Sequence, residues 1–128
     1  GWPHEESVRV PLLVRGPGVA AGRSGAAVSL VELPAMTRAW ADGTSAAPPP
    51  AAALISMPSV VALPDQCDRV WRGMRTPRRK LVLNADGSPW LFFDLVADPW
   101  EQVNLAGDPA WWREIAACRR AIDSAMAR

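Results

Sequence analysis

The only histidine in the chain is His4, and two carboxylates, Glu5 and Glu6, follow it directly. One imidazole beside two acids could take part in general acid and base work, but it builds neither a His-rich metal cluster nor a recognisable Ser/His/Asp arrangement. In an extended chain, adjacent carboxylates point to opposite sides, which is poor geometry for general acid and base work. An ion pair from one of them to Arg9 or Arg15 is the expected use. The densest basic stretch is Arg69, Arg72, Arg75, Arg78, Arg79 and Lys80, with Trp71 inside it. It reads either as a strip for an anionic group or sugar acid, with Trp71, Arg72 and Arg75 as candidate contacts, or as a strand edge. In the second reading, which is favoured, the cations pair with Asp68, Asp94, Asp98 or Glu101. Trp71 and Trp90 have the ring area to stack on sugars, yet seven tryptophans in a chain this size read first as core and interface residues. Gly16-Pro17-Gly18 is too short to cradle a phosphate and reads as a turn. The chain alone therefore holds no complete active site.

The elements that must position these groups belong to a globular chain. Of its 128 residues, 49% are hydrophobic and 21% charged, and its net charge of +1 gives no broad attraction to nucleic acid or an anionic membrane. No apolar run reaches the length of a membrane span. Every basic residue but Lys80 is arginine, which with the abundant alanine reads as coding bias. Cys67 and Cys118 form no C-x-x-C or Cys/His cluster, which argues against a zinc site, and are expected as reduced, partly buried thiols rather than a disulfide. The first residue is Gly1, with no signal-peptide pattern after it, as expected of a chain that begins in mid-protein.

Residues 8–15 (V-R-V-P-L-L-V-R) read as an apolar strand closed by the Gly16-Pro17-Gly18 turn, with Pro11 confining it to an edge or an irregular stretch. A Gly- and Ala-rich loop follows over 19–27. Ser29 to Glu32 has capping-box spacing, but Pro34 suits the first turn of a helix better, running to about Ala41 with Gly43 past its end. Residues 44–53, with three consecutive prolines, read as a linker. Beyond it come four short strand candidates, 54–63, 70–76, 80–84 and 90–96. Asp86-Gly87 marks a tight hairpin between the last two, with Trp90, Phe92 and Asp94 on one face and Leu91, Phe93 and Leu95 on the other. Asp108-Pro109 opens a last helix whose apolar stripe is Trp111, Ile115, Cys118, Ile122 and Met126.

Three stretches resemble the type I sulfatases, in that family's order. Residues 5–18 (E-E-S-V-R-V-P-L-L-V-R-G-P-G) are similar to its Y-E-E-S-x-R-V-P-L-I-x-R-x-P-G stretch. Residues 71–80 (W-R-G-M-R-T-P-R-R-K) are similar to W-R-G-V-R-T-x-R-Y-K, and residues 91–105 (L-F-F-D-L-V-A-D-P-W-E-Q-V-N-L) to L-Y-D-L-x-x-D-P-x-E-x-x-N-L. The resemblance implies an α/β fold, with residues 1–43 closing an alkaline-phosphatase-like catalytic domain. Residues 44–53 would link it to a small α+β subdomain, 54–128, with a four-stranded antiparallel sheet and a C-terminal helix. It also implies sulfate-ester hydrolysis by a formylglycine with a divalent cation, usually calcium. The motifs for both lie upstream of the Y-E-E-S stretch in that family. Cys67 has no P-S-R after it, so no catalytic or metal residue is carried onto this chain. His4 stands where the family has tyrosine and Arg79 where R-Y-K has one, and the chain contains no tyrosine. By position, Trp2 and His4 are candidates for the rim of a substrate pocket.

The leading expectation is thus the C-terminal segment of a sulfuric-ester hydrolase, inactive when isolated. Its partners would be the missing N-terminal catalytic region and a small-molecule or sugar sulfate ester, with no nucleic acid and no membrane span. A phosphonate or phosphodiester hydrolase of the same superfamily is the near alternative. A stand-alone module binding anionic sugar through Trp71, Arg72, Arg75 and Arg78 is the alternative from another class. The compartment is left open, with a cytoplasmic address slightly favoured over a periplasmic one.

Overall fold

A computed structural model describes residues 1–44, 48, 50–60 and 67–127. Its elements, in chain order, are α1 (Glu5–Val8), a 3-10 turn (Leu30–Glu32), α2 (Leu33–Ala41), β1 (Ala53–Met57), β2 (Trp71–Arg75), β3 (Arg79–Asn84), β4 (Pro89–Asp94), a second 3-10 turn (Pro109–Trp111) and α3 (Trp112–Met126). The four strands form one antiparallel sheet in sequence order. β2, β3 and β4 follow one another through tight reversals, which is the arrangement that short β-rich runs with turn residues between them favour. The four expected strands are all present. The first is shorter than its 54–63 reading because Pro58 cannot donate to a ladder, and positions 61–63 of that reading lie outside the described residues. So do positions 45–47 and 49 of the expected linker.

The β3–β4 hairpin forms where Asp86-Gly87 places it. Gly87 has φ +84°, its N–H donates to the Asn84 carbonyl at 2.9 Å, and Asp86 Oδ1 accepts from Ser88 N at 2.8 Å. One detail departs from simple alternation. The pairing steps from Val82↔Leu91 to Leu83↔Pro89, so Trp90 is an extra, bulged residue. The bulge turns Trp90 to the side of Leu91 and Phe93, where it packs, rather than to the side of Phe92.

Two apolar layers result. On one face Met74, Leu81, Leu83 and Phe92 meet Ile115 and Ile122 of α3, with Trp111 and Cys118 partly buried beside them. The helical stripe is as expected except at its last turn, where Met126 is 59% exposed. Asp108 caps the entry to this helix by accepting from Ala110 N at 2.9 Å. On the other face Cys67, Trp71, Val82, Leu91, Phe93 and Leu95 cluster, covered in part by Val8. Both cysteines are free thiols.

The first 43 residues contain α2, which starts at Leu33 and ends where Gly43, φ +68°, donates to the Trp40 carbonyl. Ser29 makes no side-chain cap, so the helix takes the Pro34 start rather than the capping box. The strand expected over 8–15 does not form: residues 5–8 make one helical turn and residues 9–15 are irregular, with Leu13 92% exposed. A strand exists only through its neighbours, and no described strand lies alongside to pair with this one. Among the described residues no helix is long and apolar enough to cross a membrane.

Candidate functional site: a buried ion cluster under the N-terminal turn

The residues of the three motif stretches meet at one place. Lys80, on β3, has no solvent exposure. Its ammonium lies 2.6 Å from Glu101 Oε1 and 3.0 Å from Glu5 Oε1. Glu5 also receives the Arg75 guanidinium, Nη2 to Oε2 at 3.1 Å, and Arg75 is the register partner of Lys80 across β2 and β3. Glu101 completes the set with its second oxygen, which accepts the Glu5 backbone N–H at 3.0 Å and faces His4 Nδ1 at 3.1 Å. A carboxylate only accepts, so the His4 contact requires a proton on Nδ1. Two cations and two carboxylates balance, which is the condition for burying such charges at all. Among the described residues no buried side-chain nitrogen or oxygen lacks a partner.

Local structure supports each member. Glu101 sits at φ +55°, a strained backbone for a residue with a Cβ, reached through the turn that Asp98 makes by accepting Val103 N at 2.8 Å. Thr76 Oγ1 accepts Arg79 N at 2.8 Å and closes the β2–β3 turn that aligns Arg75 with Lys80. Above them the N-terminal residues lie across the sheet. Pro3 is fully buried, the Trp71 indole donates to the Gly1 carbonyl at 3.1 Å, and the His4 ring stands 5.9 Å from that of Phe93.

The sequence-derived candidates fall as follows. His4 is held by Glu101, and Trp2 lies 6.2 Å from the bulged Trp90, which also carries the Arg69 guanidinium at 4.6 Å. Trp71 is buried in the core and Arg75 is spent on Glu5, both on the face beneath the N-terminal turn. Arg72 points to the opposite face, so the three are not one surface. The paired-strand reading of the basic stretch describes what is seen: Arg69 with Asp68, Arg79 with Asp94 and Glu114, Lys80 with Glu101. Glu5 pairs with Arg75 and Lys80 rather than with Arg9 or Arg15, because the helical turn at 5–8 aims it into the sheet while residue 9 onward leaves it. The Lys80–Glu101 pair was half legible; its burial was not. The available signal was composition: Lys80 is the only lysine, and a compact ammonium can meet two carboxylates in a small buried volume.

No protein-family model matches the chain, and no curated protein does. Solved structures do. The chain is similar to a candidate sulfatase of Bacteroides thetaiotaomicron, at 23% identity and a TM-score of 0.53, over 87% of this chain and 22% of the other. A 2-O GAG sulfatase gives the same four figures. A protein solved with its substrate D-glucosamine-2-N,6-O-disulfate matches at 19% identity and a TM-score of 0.52, over 66% of this chain and 17% of the other. The fold is that of part of a sulfatase. The four-stranded sheet with its C-terminal helix is the shared core, and the chain spans about a fifth of the length of the sulfatases it matches.

On this sulfatase-like fold the ion cluster joins the residues before the sheet to the sheet itself. It does not offer a cation site. Both carboxylates are occupied by Lys80 and Arg75, and among the described residues no three His, Cys, Asp or Glu side chains converge. Cys67 is buried and Cys118 is held above the usual thiol range by burial, with the Glu114 charge adding to it, so neither is poised as a nucleophile.

The cluster has a pH consequence. Burial alone would raise the Glu5 carboxyl, but hydrogen bonds from Arg75 and Lys80 outweigh it and hold the group below the usual 4.5. A depressed folded value means the stabilisation is complete above about pH 4.5 and drains as pH falls through the folded value. We expect the urea midpoint to drop on acidification below that point, and Glu5→Gln to give a shallower fall. Equal slopes for the two proteins would remove Glu5 as the titrating group.

Proposed function

We propose that the chain is the C-terminal segment of an enzyme that hydrolyses sulfate esters, and that it braces the catalytic region without supplying the reacting groups. The observation that carries this reading is the convergence of Glu5, Lys80 and Glu101, one from each sulfatase-like stretch, in a single buried cluster within a sulfatase-like fold. Three separate resemblances that meet in space are harder to produce by chance than three that do not.

The formylglycine nucleophile and the divalent cation, calcium in this reading, belong to the preceding polypeptide, because the residues present here do not fit them. When bound, the cation would polarise the sulfate; what this chain does is fix the turn at residues 4–8 against the sheet. The substrate is a small-molecule or sugar sulfate ester, in keeping with the sulfated sugar bound by one structural neighbour. In this reading His4, with Nδ1 held by Glu101, and Trp2, two residues before it, would line the rim of the substrate pocket.

Two measurements test the proposal. In-frame coding sequence before Gly1 is expected to contain a C-x-P-S-R-like motif, and the enzyme made from that longer frame to cleave an aryl sulfate in preference to the matching phosphate ester. The 128-residue chain alone is expected to cleave neither. Turnover of aryl sulfate by the isolated chain, or a frame without the nucleophile motif, overturns the reading; a phosphate preference moves it to the phosphonate and phosphodiester hydrolases.

A further inference from the structure

On the α3 side of the sheet, two arginines meet over the β3–β4 hairpin. Gly87 is a turn residue, yet it is buried, because guanidinium groups cover it. A Cβ built at Gly87 would lie 3.0 Å from Arg119 Nη2 and 3.5 Å from Arg72 Nη2, so two cations from distant parts of the chain converge on one point. Like charges brought this close repel unless something negative lies between them. One acid stands beside them: Asp86, held below the usual carboxylate range first by its Ser88 hydrogen bonds and also by the Arg119 charge, offsets one of the two cations and leaves the pair with a net positive charge. Asp86 Oδ1 accepts from Ser88 N and Oγ at 2.8 and 2.6 Å, and Glu114 pairs with Arg79. Among the described residues neither arginine has an ion pair, and the one hydrogen bond of Arg72 is a 3.4 Å contact to the Ala85 carbonyl. Arg119 also forms one wall of an open cleft of about 350 Å³ whose other walls are Pro89, Ala106, Trp112, Ile115 and Ala116. Trp112 is 59% exposed there.

We propose that Arg72 and Arg119 form a binding site for a sulfate or phosphate monoester, with the ring that carries the ester lying in the cleft against Trp112 and Pro89. The chemistry follows from the parts. Two guanidinium groups offer planar, paired donors that match a tetrahedral oxyanion, and an apolar wall with an indole beside them suits a ring rather than a bare ion. The site is on the face opposite the ion cluster and does not rest on the sulfatase reading: either can fail while the other stands.

The test titrates the ¹⁵N-labelled 128-residue chain with 4-nitrophenyl sulfate and follows the arginine Nε–Hε and tryptophan indole signals. Saturable shifts are expected at Arg72, Arg119 and Trp112 together, with a dissociation constant on the order of 1 mM. Arg72→Gln and Arg119→Gln should each weaken binding about tenfold, the loss of one charge-assisted contact. Arg113→Gln with Arg120→Gln, which removes two charges from the helix that carries Arg119, should change it less than about twofold. 4-Nitrophenyl phosphate is expected to bind at the same pair. Inorganic sulfate that shifts the arginines with equal affinity would overturn the role of the cleft. No saturable shift in the unmodified chain, or equal weakening by the Arg113/Arg120 control, would overturn the site.

Discussion

Lys80→Ala is expected to destabilise the chain by about 3–5 kcal/mol, the loss that follows when one partner of a buried ion set is removed and the others stay behind. The magnitude comes from what remains. Glu101, whose side chain is 1% exposed, would keep its charge with only the Glu5 N–H and His4 to meet it, and Glu5 would face it with Arg75 alone. Residues 1–8 should then lift from the sheet, since Glu101 and Lys80 hold both the side chain and the backbone of Glu5. Urea denaturation gives the energy, and the loss of the Trp71 indole to Gly1 contact, read from the indole N–H signal, reports the lifting. Lys80→Met combined with Glu101→Gln should recover part of the loss, because an uncharged pair leaves less unpaired charge in the interior. A loss below about 1 kcal/mol for Lys80→Ala would show the cluster to be solvated and the brace to be something else.

Gly73→Ala is expected to cost about 3 kcal/mol, although glycine inside a strand is ordinarily the weaker residue by about 0.5–1 kcal/mol. Gly73 sits in β2 with neighbours on both sides, opposite Ile55 on β1 and Val82 on β3. A Cβ there would run into the Leu81 carbonyl oxygen and come within 3.2 Å of Val82 Cα. Both obstacles are backbone, so they can retreat only if the β2–β3 ladder opens. The clash therefore outweighs the propensity gain and reverses the usual sign. Gly25→Ala, where nothing lies within 4 Å, is the matched control and should change the unfolding free energy from urea denaturation by less than about 0.5 kcal/mol. Equal stability of the two variants would show that the sheet accommodates the methyl group.

These two positions, with their neighbours, give the motif stretches a physical reading. In residues 71–80, Trp71 fills the core, Gly73 permits the close strand approach, Thr76 closes the turn and Lys80 balances two carboxylates. In residues 91–105, Asp94 and Asp98 cap turns and Glu101 holds the N-terminal residues. Asn104 lines the outer edge of β4, accepting from Phe92 N and donating to the Trp90 carbonyl, both at 3.0 Å. An edge strand leaves unpaired backbone groups, and a side-chain amide that both donates and accepts satisfies them where, among the described residues, no further strand pairs with β4. Thr76, Lys80, Asp94, Asp98, Glu101 and Asn104 thus serve the fold of this segment.

What the sequence determined by itself is local: the four strands, the Asp-Gly hairpin, the Asp108 cap and the stripe of α3 all follow from period, turn chemistry and capping, which act within a few residues. Resemblance added the order of the stretches and the family of the fold. Three features came only from the tertiary structure. The bulge that turns Trp90 to the other face depends on the partner strand, not on its own neighbours. The apolar run at 8–15 is a strand in pattern but not in fact, because a strand is a property of two chains of hydrogen bonds rather than one. And the meeting of Glu5, Lys80 and Glu101 links residues far apart along the chain, which no periodicity can foretell; charge burial is decided by what else arrives at the same place.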